Sequence, residues 1–196
     1  MTRHQMDAVR TRRGFLGLAG RGALLSGAAV ALLGNEQALA GAMPAGSNDV
    51  AILNVALGLE HEAIAAYQIG AESGLLDKGT LAVAVAFQSD HKQHRDALAA
   101  TIGQLGGTAV AALSMDDYAK SGKLGLAAVK GASDVVKLAQ RLELGAVNAY
   151  LGVIPAFADR TLAKVAGRLA ADETMHYTAL TQALGGQLPG ALSYGA

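Results

Sequence analysis

The chain has 196 residues, no cysteine, 16 basic against 16 acidic side chains, and 52% hydrophobic but only 4% aromatic residues. Without thiols there can be no disulfides and no thiolate metal site, so any metal ligands must be His, Asp or Glu. The balanced charge, with no basic patch interleaved with aromatics, gives nucleic-acid binding no support.

The first forty residues have their own character. Arg12-Arg13 precede Phe15-Leu16, an Ala/Gly/Leu stretch follows, and Ala38-Leu39-Ala40 forms a small-x-small site. This order resembles a twin-arginine export signal over residues 1–40, cut after Ala40. Retention as an anchor is the alternative, although the apolar run from Ala23 to Gly34 is short for a membrane span. The resemblance implies the twin-arginine translocase as a partner and a periplasmic or otherwise exported location. Cleavage removes five Arg and two acids, leaving 11 basic and 14 acidic residues, a net charge of 11 − 14 = −3. Residues 41–47 then read as a linker.

From Asn48 onward the pattern is helical, rich in Ala and Leu. The first predicted helix, 48–73, has Ser47 or Asn48 as its cap and a stripe of Leu53, Leu57, Glu60, Ile64 and Tyr67, with Gly74 as its stop. The second, 79–105, carries Phe87, His91, His94, Leu98 and Leu105, and ends at Gly106-Gly107. The third, 134–153, carries Val136, Glu143, Val147 and Tyr150, and Pro155 closes it. The fourth, 159–185, carries Leu162, Leu169, Glu173, His176 and Leu180. Short links join the first helix to the second and the third to the fourth, which makes two antiparallel hairpins. The long segment 106–133 between them has the length to cross a bundle. Its stretch "MDDYAKSGK" reads as a solvated connection. Residues 187–196 form a tail, with no fifth helix expected.

The two hairpins repeat one another. "LEHEAIAAY" (59–67) lies over "LELGAVNAY" (142–150), pairing Glu60 with Glu143 and Tyr67 with Tyr150. "SDHKQHRDAL" lies over "ADETMHYTAL", pairing Asp90 with Asp172, His91 with Glu173 and His94 with His176. Each helix therefore places a potential ligand on its core stripe, and residues three apart share a helix face. A buried carboxylate costs several kcal/mol, roughly, unless it is paired or bound to a cation.

A Glu on the first and third helices, each with Tyr seven residues on, and Glu-x-x-His on a partner helix resemble the ferritin-like superfamily. The likeness covers residues 48–186 and is closer to exported ferritin-like domain proteins than to cage-forming storage ferritins. It implies an all-α, left-handed four-helix bundle of two antiparallel hairpins joined by a long crossover. It also implies a metal site of Glu60, His91, His94, Glu143, Glu173 and His176, with room for two ions of iron or manganese, and zinc as the alternative. The activity implied is that of a di-metal carboxylate oxidoreductase or metal handler; a non-catalytic bundle with a zinc-filled or metal-free core is the other reading. A homodimer is left open.

One position departs from the family pattern. His91 stands where a Glu is usual, lowering the formal charge of the ligand set from −4 to −3. Asp90 is a candidate to swing in, although Asp90 and Asp172 read first as partners of the histidines. Tyr67 and Tyr150 read first as core and second as partners of ligand carboxylates. His61 and Glu62 fall on the outer face.

Overall fold

The computed structural model describes residues 47–194. The segment expected to be an export signal, and the linker up to residue 46, lie outside them. Among the described residues there are no strands and there are five α-helices: α1 Ser47–Glu72, α2 Lys78–Gln104, α3 Met115–Lys120, α4 Ala132–Val153 and α5 Arg160–Ala183. Two 3₁₀ turns, Leu126–Ala128 and Ile154–Ala156, complete the order.

The helix ends follow local chemistry. Asp77 caps α2 by accepting from the Thr80 amide, and Asp159 caps α5 by accepting from the Thr161 amide. Gly74, Gly106 and Gly185 follow α1, α2 and α5 with positive φ, where a side chain would be strained. Helix α4 starts two residues before its expected position, and Gly131 gives it no side-chain cap.

Helices α1 and α2 form one tight hairpin, α4 and α5 the other, and the hairpins meet along α1 and α4. Val50 at the start of α1 abuts Gly107, and Gly70 near its end abuts Val135, so α1 runs antiparallel to both α2 and α4. The crossover tracks α1 over this length. Asn54 donates to the Thr108 carbonyl and accepts from the Val110 amide, and His61 donates to the Val110 carbonyl. Further on, Tyr118 and Leu124 pack against Ala65 and Ala66.

Two sequence expectations need correction. "MDDYAK" is the helix α3, capped by Ser114, and it buries Tyr118, so the crossover is clamped rather than merely solvated. Leu105, expected on the core stripe, is 43% exposed because it lies past the last helical turn. Helix α1 is long and apolar enough to cross a membrane, but one face of it is spent on the bundle core, including Glu60.

The main apolar cluster fills one end of the bundle with Leu53, Leu57, Leu98, Ile102 and Leu162. Buried Asp49 ties this end together by accepting from the amides of Ala158 and Asp159 at 2.9 and 3.1 Å. Replacing Asp49 by Ala strands two amides, so it is expected to lower stability by about 2 kcal/mol in denaturant titration. An unchanged denaturation midpoint would show that this link contributes nothing.

Candidate metal centre

All six expected site residues converge at mid-bundle, and each is at least nine-tenths buried. Glu60 comes from α1, His91 and His94 from α2, Glu143 from α4, and Glu173 and His176 from α5. Their ligand-type atoms fall into two sets of four, within 4.8 Å of one another in each set. One set is Glu60, His91, His94 and Glu173; the other is His91, Glu143, Glu173 and His176.

The repeat is visible as reciprocal bonds across the hairpins. The Tyr67 hydroxyl donates to Glu143, and the Tyr150 hydroxyl donates to Glu60. Nδ1 of His94 lies 3.2 Å from Glu173, and its Nε2 lies 3.4 Å from Asp172. Nδ1 of His176 lies 3.2 Å from Glu173, and its Nε2 lies 3.2 Å from Asp90. Each of these histidines turns one nitrogen inward to glutamate and the other outward to an aspartate of the opposite hairpin. Asp90 thus serves His176 across the bundle and does not stand in for the missing glutamate.

His91 breaks the symmetry. Its Nδ1 lies 2.8 Å from Glu60 and its Nε2 3.2 Å from Glu143, so the ring spans the two carboxylates. Donating both ways requires both nitrogens to be protonated. Burial alone lowers the His91 pKa, but Glu143, Glu60 and Glu173 outweigh it and hold the ring well above the usual histidine range.

The same contest sets the other charges. Burial disfavours the charged form of His94, yet hydrogen bonds to Glu173 and Glu60 raise it to about 10. His176 rises to about 9 against its burial, through Glu143 and Glu173. Burial pushes Glu60 up, but His91, His94 and Tyr150 bring it below its usual value. Glu143 is likewise held low, by His176 and His91. Burial wins only at Glu173, which is raised. Tyr67 and Tyr150 are pushed well up by burial and by the carboxylates beside them, so they remain donors.

The donor chemistry suits a metal ion. Neutral imidazole with carboxylate fits zinc, iron and other first-row ions. Among the described residues, Glu143 Oε2 is a buried oxygen without a hydrogen-bond partner. His176 Nδ1 is 3.5 Å from it, too far for a good bond. Such an oxygen is expensive to leave uncompensated, and a cation would satisfy it.

The aromatic surroundings were less visible in the sequence. Phe87, half-buried, stacks on His176 with ring centroids 4.0 Å apart and meets Tyr67 edge-on at 6.4 Å. Gln88 had not been singled out. It is buried and donates to the Ile64 carbonyl and to Gln68, locking α1 to α2 beside the centre. Its only sequence signal is its place one residue after Phe87.

With this geometry in view, the relationships are informative. A ferritin-like domain family model matches residues 48–186. The chain belongs to the ferritin-like domain family. It is similar to the crystal structure of a conserved hypothetical protein, rv2844, from Mycobacterium tuberculosis. That similarity has a TM-score of 0.62 and 25% identity, covering 76% of this chain and 98% of the other. No curated protein matches the sequence.

The charge pattern has a pH consequence. A histidine whose pKa is raised by folding contributes stability below its unfolded value, near 6.5, and loses it as pH rises through about 9 and about 10. Chelator-stripped protein is therefore expected to melt at progressively lower temperature from pH 7 to 10. A melting temperature that is flat or rising over that window would show that the histidines are not held as cations.

Proposed function

We propose that the chain is an exported metal-binding protein of the ferritin-like family, holding one or two divalent ions, iron or manganese, between its hairpins. The observation that carries this reading is the pair of overlapping four-residue sets sharing His91 and Glu173. Glu60 and His94 would hold an ion at one position and Glu143 and His176 at the other, with His91 and Glu173 common to both sets. When bound, such ions supply redox or Lewis-acid chemistry in a site closed to bulk water. The chain's own residues orient the ligands. Tyr67 and Tyr150 fix the glutamate rotamers, and Asp90 and Asp172 hold the outer nitrogens of the histidines. Metal binding must displace protons from the histidines, so affinity rises with pH.

One observation favours a second reading, a single zinc ion in a structural site. His91 brings no negative charge, so two divalent ions would be less fully neutralised than in a four-carboxylate set. Elemental analysis of protein purified through its native export route separates the readings. Two iron or manganese per chain supports the first, one zinc supports the second, and no metal overturns both. His91→Glu restores the fourth carboxylate and is expected to raise divalent-metal content. Glu173→Ala removes the residue common to both sets and is expected to lower it severalfold. Equal metal content in all three proteins would make the constellation a packed polar core.

The export reading rests on Arg12-Arg13 and Ala38-Leu39-Ala40. Replacing both arginines by Lys is expected to leave the precursor in the cytoplasm at full length. A variant still exported and trimmed would overturn the twin-arginine assignment.

A further inference from the structure

The two ends of the bundle are built from the same repeat but are not filled alike. At the α1 N-terminal end, Leu53, Leu98, Ile102 and Leu162 pack to exposures between 0 and 7%. The opposite end holds a cavity of about 260 Å³ lined by residues from all four long helices. Its wall is almost wholly apolar and made largely of small side chains, among them Ala66, Gly70, Ala84 and Ala139. Thr80 and Val136 also line it.

The repeat shows what opens it. The register that pairs Glu60 with Glu143 pairs Leu53 with Val136 and Val153 with Gly70. The register that pairs His94 with His176 pairs Leu162 with Thr80. At each of these positions the cavity end carries the smaller side chain. Gly70 cannot be enlarged without strain, since a Cβ there would lie 2.9 Å from Val135 Cγ1.

The cavity borders the glutamate–histidine centre. Tyr67 forms part of its wall and bonds Glu143 through its hydroxyl. Leu180, also in the wall, lies one turn beyond His176 on α5. Toward solvent, the mouth lies between α2 and α5, where Val83 and Ala179 are exposed. The start of α1, at Ser47, lies at the far end, since the cavity lies around Gly70. The tail beyond α5 is drawn alongside that helix by the edge contact of Tyr194 with Tyr177.

We propose that this cavity binds a small, neutral, mainly apolar organic molecule whose inner end rests against Tyr67, beside the glutamate–histidine centre. Scaled from an apolar cavity of about 150 Å³ that takes benzene, this volume holds roughly ten non-hydrogen atoms. The lining offers no buried charge for an anionic head group, so a compound such as a medium-chain alcohol fits and a free carboxylate does not. Occupancy depends on the shape of the cavity and not on metal, so it is testable whether or not the centre is loaded.

The probe is 1-octanol, titrated calorimetrically into the full chain with and without added divalent metal. Saturable binding of one octanol per chain is expected in both samples, with octanoate binding at least tenfold more weakly. Thr80→Leu with Val136→Leu copies the filled end of the repeat, and Ala84→Phe fills the cavity from its α2 wall. Both variants are expected to lose octanol affinity at least tenfold while their circular-dichroism melts confirm folding. Absence of saturable binding to the wild type, or unchanged affinity in a folded Ala84→Phe variant, overturns the proposal. It is also overturned if octanol binds only after truncation beyond Gly186, which would assign the cavity to the tail.

Discussion

The constraint on which this structure depends is the burial of three carboxylates and three imidazoles at one depth of an otherwise apolar bundle. None of these groups could be buried alone at acceptable cost. Each is held by contacts that cross from one hairpin to the other: Tyr67 and His91 to Glu143, Tyr150 to Glu60, Asp90 to His176, and Asp172 and Glu173 to His94. Docking the hairpins therefore completes the polar network, and the network fixes how they dock. A slip of one helical turn, about 5.4 Å, would leave several buried charges facing hydrocarbon.

The approximate two-fold relation explains why so few residue types suffice. Each hairpin supplies one Glu, one Tyr, one Asp and one inward-facing His, and the other hairpin returns the complement. The relation fails at one pair, His91 and Glu173. At this pair the two candidate sets overlap, so a change there alters both at once. A carboxylate at position 91 would add negative charge between Glu60 and Glu143. The imidazole instead reaches both of them, and without a cation it is the better neighbour for two anions.

Much of the fold was legible because the helices are punctuated by strong local signals. Asp77 and Asp159 as caps, and Gly74, Gly106 and Gly185 as stops, act within one turn and need no tertiary knowledge. The site residues were legible for a different reason: the repeat placed polar side chains on apolar stripes at matched positions. What escaped were features that exist only between elements. Helix α3 has six residues, too few for a periodic pattern, and its stability comes from seating Tyr118 against α1. Asp90 was legible as a histidine partner, but not as the partner of His176, because spacing along α2 points to His94, whereas the side chain faces α5. Gln88 left little trace in the sequence, since its partners include a backbone carbonyl and a glutamine on another helix.

The same repeat separates two duties along the bundle axis. The Leu-rich end, fastened by Asp49, supplies dense apolar packing, where loss of a single large side chain costs a few kcal/mol, roughly. The opposite end forgoes part of that packing: Thr80, Val136 and Gly70 stand where the repeat elsewhere has Leu162, Leu53 and Val153. Unfilled apolar volume weakens a fold, so an end kept open is affordable only where the rest of the bundle is well fastened. The crossover supplies that fastening from outside, with Tyr118 and Leu124 braced on Ala65 and Ala66 next to the cavity wall. The hollow end, its outer brace and the aromatic layer of Tyr67 and Phe87 thus form one unit. Through Tyr67, the wall of the cavity is bonded to the same glutamate that belongs to the second candidate set.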